Sequence, residues 1–127
     1  MIQLPADVAR TQYCYLETTG RVSGQPHTVE MWFAPGADGT TIYCLSGGGE
    51  RSDWVKNLRA TPALRVRIAG RTFPAQGRVV LGEAEEPAAR RALATKYYGW
   101  REGPLPNEWS RQALPVAIRL AVVTPEE

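Results

Sequence analysis

The sequence predicts a mainly β fold with added helix, in which about six mostly antiparallel strands close into a full or partial barrel. Three observations carry this. Segments rich in aromatic and β-branched residues recur between short turns of Gly, Pro and Asp. "ALRVRI" (Ala63 to Ile68) alternates, with Leu64, Val66 and Ile68 on one side and Arg65 and Arg67 on the other. Connections this short favour antiparallel neighbours, and closure hides the sheet edges that would otherwise be exposed.

The elements follow in order. "YCYLETT" (Tyr13 to Thr19) reads as the first strand, "GRVSGQP" as a turn, and "HTVEMWFA" (His27 to Ala34) as the second strand. "PGADG" is a hairpin connection in which Gly39 takes positive φ. "TTIYCLS" (Thr40 to Ser46) is the third strand, followed by the glycine run "SGGGERSDW". "SDWVKNLRATP" is a short helix: Ser52 suits the N-cap, Asp53 the first turn, and Pro62 stops it. After "ALRVRI" and a turn at Gly70, "RTFPAQGRVVL" (Arg71 to Leu81) returns as a strand, with Pro74 marking a bulge or an edge. From Glu83 to about Tyr98 the pattern is helical, acidic at its start and basic further on, with Ala89, Leu93, Tyr97 and Trp100 on one face. "REGPLPNEWSRQAL" is a loop with one helical turn. "PVAIRLAVV" (Pro115 to Val123) is the last strand, with Val116, Ile118, Leu120 and Val122 lining its inner face.

The 127 residues suit one domain, residues 1–127, long enough to bury a core. No apolar run reaches the length of a membrane span, and the first residues lack the pattern of a secretory signal. Cys14 and Cys44 sit inside strand-like runs without partners at metal-ligand spacing, and His27 is the only histidine. Reduced core cysteines, no metal site and a cytoplasmic location are therefore expected. The net charge of +2 is too small to announce a polyanion. The cluster Arg51, Lys56, Arg59, Arg65, Arg67 and Arg71 is either a solvated strand face or an attraction for a small phosphate-bearing ligand, and no nucleic-acid partner is expected.

The chemistry-bearing residues fall in three places. The run Ser46, Gly47, Gly48 and Gly49 lies between a strand and a helix N-terminus, where bare backbone can approach an anion; a plain flexible hairpin is the alternative. It carries neither Gly-Lys-Ser/Thr nor G-x-G-x-x-G. The turn "TTGRVSGQPH" offers Arg21 as cation, Thr18, Thr19 and Ser23 as hydroxyls, and Gly20 and Gly24 for close approach. His27 either contacts a phosphate or polarises a carbonyl, or is structural. Trp54 either stacks on a ligand or anchors its helix, and Asn57 either bonds the ligand or holds the loop backbone. No nucleophile elbow occurs. In "KYYGWREG" part is core and part can form an aromatic lid over a planar substrate.

Taken together, "LETTGRVSGQPH", "SGGGERSDWVKNLRATPALRVRIAGRTFPAQGRVV", the aromatic helix and "LPVAIRL" resemble the deazaflavin-dependent nitroreductase family, over residues about 13–120. The resemblance implies a split β-barrel of the flavin-binding pyridoxamine phosphate oxidase type. It implies an oxidoreductase that uses coenzyme F420 to pass hydride to a quinone, a nitroaromatic or an activated double bond. Carried over, Arg21, Ser23, His27, Ser46, Gly47, Gly48, Gly49 and Arg51 bind the cofactor, with Trp54 and Asn57 in the following helix. Tyr97, Tyr98 and Trp100 fall on the substrate side. Gly47 stands where the family's loop often has lysine, and His27 where many members have arginine. Arg21 and Arg51 are the cations available to compensate. FMN is the alternative cofactor, and a non-catalytic binder of a small planar ligand the alternative function. A homodimer is expected by the same resemblance.

Overall fold

The computed structural model describes residues 4–121. Its strands are β1 (Tyr13–Thr19), β2 (Pro26–Trp32), β3 (Ala34–Pro35), β4 (Thr41–Ser46), β5 (Ala63–Ile68), β6 (Arg71–Val79) and β7 (Leu114–Leu120). The helices are α1 (Ala6–Ala9), α2 (Asp53–Ala60), α3 (Glu85–Tyr98) and α4 (Glu108–Gln112). The strands form one antiparallel sheet in the order β2-β1-β5-β6-β7-β4-β3. Its two end strands are consecutive in the chain. The sheet therefore curls until a single segment, broken at Phe33, serves both ends. This is the split barrel.

The break corrects one expectation. The strand predicted from His27 to Ala34 is two strands, because Phe33 leaves the ladder and buries its ring completely. Its freed backbone groups are recovered by α3. The Phe33 N–H donates to the Tyr97 hydroxyl at 3.0 Å, and the Phe33 carbonyl accepts from Lys96 Nζ at 2.8 Å. A buried backbone group without such a partner would cost about as much as a lost hydrogen bond.

The barrel interior follows from alternation. In β5, Leu64, Val66 and Ile68 are buried and Arg65 and Arg67 exposed, as the pattern predicts. Every residue of β4 is buried, because the strand is covered on both faces. Ile42 and Cys44 face the barrel core, while Tyr43 and Leu45 pack beneath Ala89 and Leu93 of α3. Cys14 and Cys44 are both buried and free, and the Cys44 thiol is pushed up by a hydrogen bond with Cys14 and by burial.

Helix α2 plugs the barrel through Trp54, Val55 and Leu58. Burial of each such side chain contributes about 1.5–3 kcal/mol. Leu58 sits so close to β6 that a Cβ on Gly77 would lie 2.6 Å from its Cδ2. Helix α3 starts at Glu85, whose carboxylate takes two bonds from Arg78, both 2.8 Å, and one from the Tyr43 hydroxyl at 2.9 Å. It ends on Gly99, left-handed at φ 67°. Ala69 and Gly70, at φ 52° and 78°, make the tight β5–β6 hairpin. Pro74 pairs with Arg65 of β5 just before the β7 ladder begins at Ala75, and on that other side it only accepts, its carbonyl taking the Ala121 N–H at 2.8 Å. Helix α1 has no counterpart in the sequence reading. Val122 and Val123, expected in the last strand, lie outside the described residues. Among the described residues, no helix is long and apolar enough to cross a membrane.

Candidate functional site

Two loops meet at the N-terminal end of α2. The first leaves β4 at Ser46 and passes through a 3-10 turn, Gly49–Arg51. Ser46 is buried, and its hydroxyl lies 3.0 Å from the Gly49 carbonyl and 2.9 Å from Ser52 Oγ. Ser52 occupies the N-cap position of α2 without making a side-chain cap bond. Its hydroxyl is used instead to clasp the loop. Two glycines permit this. Gly49 has φ 63°, and a Cβ on Gly48 would come within 2.5 Å of Ser52 Oγ. Gly47 is different: it is exposed, its φ is not left-handed, and its nearest neighbour would be Trp109 Cδ1 at 3.8 Å. A side chain fits there. Among the described residues Glu50 pairs with Arg59 at 2.7 Å, whereas the Arg51 side chain is exposed and has no hydrogen-bond or ion-pair partner.

The second loop joins β1 to β2. Asn57, buried on α2, stitches it down. Its Oδ1 accepts from the Arg21 backbone N–H at 3.1 Å and from Arg21 Nη1 at 2.8 Å. Its Nδ2 donates to Thr18 Oγ1 at 3.3 Å. Arg21 also reaches Asp53, with Nη2 3.1 Å from Oδ1. That Asp53 side chain is 84% exposed. The pair is therefore screened, and it leaves much of the cation's field available to a ligand. Gly20 makes room for His27: a Cβ there would lie 2.7 Å from His27 Nε2 and 2.8 Å from Ser23 Oγ.

These contacts shape a cavity of about 480 Å³ lined by Arg21, Ser23, His27, Trp54 and Asn57, among others. Five of the expected cofactor residues are thus brought together. Trp54 anchors its helix as a core residue and also lines the cavity. Ser46, Gly47, Gly48, Gly49 and Arg51 do not line that cavity. They form the neighbouring loop on the same helix end.

The aromatics divide. Tyr97 stacks on Trp32 with centroids 4.2 Å apart and planes 2° from parallel. Tyr98 and Trp109 meet Trp32 edge-on at 6.1 and 5.7 Å. The Tyr97 hydroxyl is committed to backbone, accepting from Phe33 and lying 2.6 Å from the Gln12 carbonyl, and its pKa is pushed up chiefly by burial. Trp100 stands apart: its indole N–H donates to the Gly103 and Pro104 carbonyls, under the Arg91 guanidinium. Sequence reasoning singled out neither Trp32 nor Trp109. Trp109 bridges the aromatic cluster to Gly47. A signal existed in "NEWS", since Asn107 and Ser110 form a capping box that fixes α4 and the tryptophan on it.

The protein-family model described as F420H(2)-dependent quinone reductase matches residues 5–119. A curated F420H(2)-dependent quinone reductase of Mycobacterium tuberculosis is 34% identical over 59 residues, 46% of this chain and 40% of that protein. The match therefore spans less than half the length of that relative. Among solved structures, a conserved hypothetical protein of Mycobacterium tuberculosis has a TM-score of 0.75 at 20% identity, over 96% of this chain and 83% of the other. An F420-H2 dependent reductase has a TM-score of 0.64 at 19% identity, over 94% and 98%. At these identities the structural likeness is one of fold.

Proposed function

The chain belongs to the F420H(2)-dependent quinone reductase family, and on that premise we propose that it passes hydride from F420H2 to a planar electrophile. A quinone is the first choice of acceptor, with nitroaromatics and activated double bonds as relatives of the same chemistry. The observation that carries the reading is the convergence of both loops on the N-terminal end of α2, beside a cavity lined by Arg21, His27 and Trp54.

The residues fit an anionic cofactor with a planar head. The missing Cβ of Gly20 leaves His27 and Ser23 packed against bare backbone, and Gly47 and Gly48 expose backbone in the neighbouring loop. A helix N-terminus favours negative charge, although Asp53 in the first turn opposes it in part. Arg21, Ser23, His27 and Arg51 anchor the anionic tail, with Ser46, Gly47, Gly48 and Gly49 as the backbone cradle. Asn57 and Trp54 hold the two loops at a fixed spacing. When bound, F420H2 supplies the hydride, and the protein supplies binding, orientation and exclusion of water. Tyr97 and Tyr98 shape the substrate side together with Trp32 and Trp109, while Trp100, apart from that cluster, can serve only at its margin. Because the Tyr97 hydroxyl is committed to backbone, Tyr98, half exposed, is the tyrosine there that can supply a proton to a reduced oxygen.

Titration with F420, followed by its fluorescence, tests this. Saturable binding is expected. No binding at about 100 μM, well inside the range of roughly 1 μM–1 mM over which enzymes handle ligands, overturns it. Oxidation of F420H2 by a soluble naphthoquinone then distinguishes a reductase from a passive binder.

A further inference from the structure

A second groove, of about 630 Å³, shares no residue with the Arg21 cavity. It lies between α1, β3 and α3, and falls within the size range of small-ligand sites, about 300–1,000 Å³. Its apolar surface is small: Ala9 from α1, Ala34 and Pro35 from β3, and Ala88 and Ala92 from α3. Short side chains leave the space open. Around this surface stand three cations, Arg10, Arg91 and Lys96, and no carboxylate lines the groove.

The charges of these cations are not taken up by carboxylates of the protein. Arg21, Arg59, Arg78 and Arg90 each hold a carboxylate in an ion pair. Among the described residues Arg10, Arg91 and Lys96 hold none. Arg10 is exposed at the end of α1, and Arg91 lies 5.9 Å over the Trp100 ring. Lys96 is half-buried at the inner side, with its ammonium 3.6 Å over the Phe33 ring and bonded to the Thr11 and Phe33 carbonyls. Desolvation lowers its pKa to about 8. Its charge is thus carried at a cost that an incoming anion would relieve.

We propose that this groove binds a small carboxylate with an apolar body, an alkyl or aryl acid. The carboxylate sits among Arg10, Arg91 and Lys96, and the body lies on the alanine and proline surface. The site is independent of the F420 reading, since none of its residues serves that cavity.

Calorimetric titration with octanoate tests it, with 1-octanol as the probe of equal body and no charge. Octanoate is expected to bind at least about tenfold more tightly than octanol, the worth of one charge-assisted hydrogen bond. Arg10→Ala and Arg91→Ala should each weaken octanoate several-fold. Ala88→Trp, at an exposed position on the groove wall, should abolish binding while the circular-dichroism melt stays unchanged. Equal affinity for octanol, no octanoate binding at millimolar concentration, or unchanged binding in a folded Ala88→Trp variant would each overturn the proposal.

Discussion

The Tyr97 hydroxyl and the Phe33 amide are bonded at 3.0 Å across the point where the barrel's seam breaks. The ring of the same tyrosine stacks on Trp32, the residue just before the break. Helix α3 therefore supplies the partner that the sheet withdraws from Phe33. Tyr97→Phe keeps the stack and removes the hydroxyl, leaving a buried N–H unpaired. Loss of about 1–3 kcal/mol of stability is expected, read as a lower urea midpoint at unchanged slope.

Asn57 is the joint between α2 and the β1–β2 loop. Asn57→Ala should cost a similar amount, about 1–3 kcal/mol, because Arg21 and Thr18 both lose a partner. It should also weaken F420 binding, since the loop bearing Arg21 and Ser23 is no longer fixed. Asn57→Asp separates the two effects: it keeps the acceptor for Arg21 and loses only the bond to Thr18. Its F420 affinity should fall less than that of the alanine variant.

Charge at the glycine loop can be added or removed. Gly47 has ordinary φ and room for a Cβ, so Gly47→Lys should fold normally and tighten F420 binding by about 1.5–3 kcal/mol. Arg51→Ala should weaken binding by a like amount if Arg51 serves the tail, with no change in melting temperature because it holds no partner among the described residues. Gly49→Ala, at φ 63°, should instead destabilise by about 1–2 kcal/mol. Fluorescence titration and thermal melts distinguish the three.

Lys96 makes stability depend on alkaline pH. Its folded pKa is lowered from 10.5 to about 8 by desolvation. Between those values the unfolded chain keeps a proton that the folded chain releases, so stability rises as pH climbs through that window. The tyrosines act oppositely. Burial and Glu85 raise Tyr43 from 10.0 to about 12, and burial raises Tyr97. Above about pH 10 the unfolded chain therefore loses those protons first, and stability falls. Above about pH 9 the unfolded Cys44 thiol likewise ionises before the folded one, so urea midpoints should climb from about pH 8, level off above about pH 9 and fall above about pH 10, and Lys96→Met should flatten the rising side.

Much of this was legible along the chain. Tyr13–Thr19 and Ala63–Ile68 are strands with the predicted limits, because period-two alternation is a local signal. Gly39 takes the positive φ that its hairpin requires. The parts that were hidden depend on residues far apart in sequence. The break at Phe33 is set by Tyr97 and Lys96, more than sixty positions later. Ser52 reads as an N-cap, yet its hydroxyl turns back to Ser46, a choice that only the folded loop offers. Trp32 carries no local mark of a site, and the capping box in "NEWS" marks only where α4 starts, not what Trp109 on it touches. The two become one through their mutual contact and the approach of Trp109 to Gly47.

Gly77 lies in mid-strand on β6, outside both loops, yet Leu58 rests directly on its bare backbone. It works as a depth stop for α2. A methyl group there would lift the helix, and Trp54 and Asn57 are carried on that helix, with Arg21 tied to Asn57. Gly77→Ala should cost about 1–3 kcal/mol as an overpacked core. Its greater effect would be to misalign both loops at once. The accuracy of the site is thus fixed from behind, by an absent side chain that no ligand would ever touch.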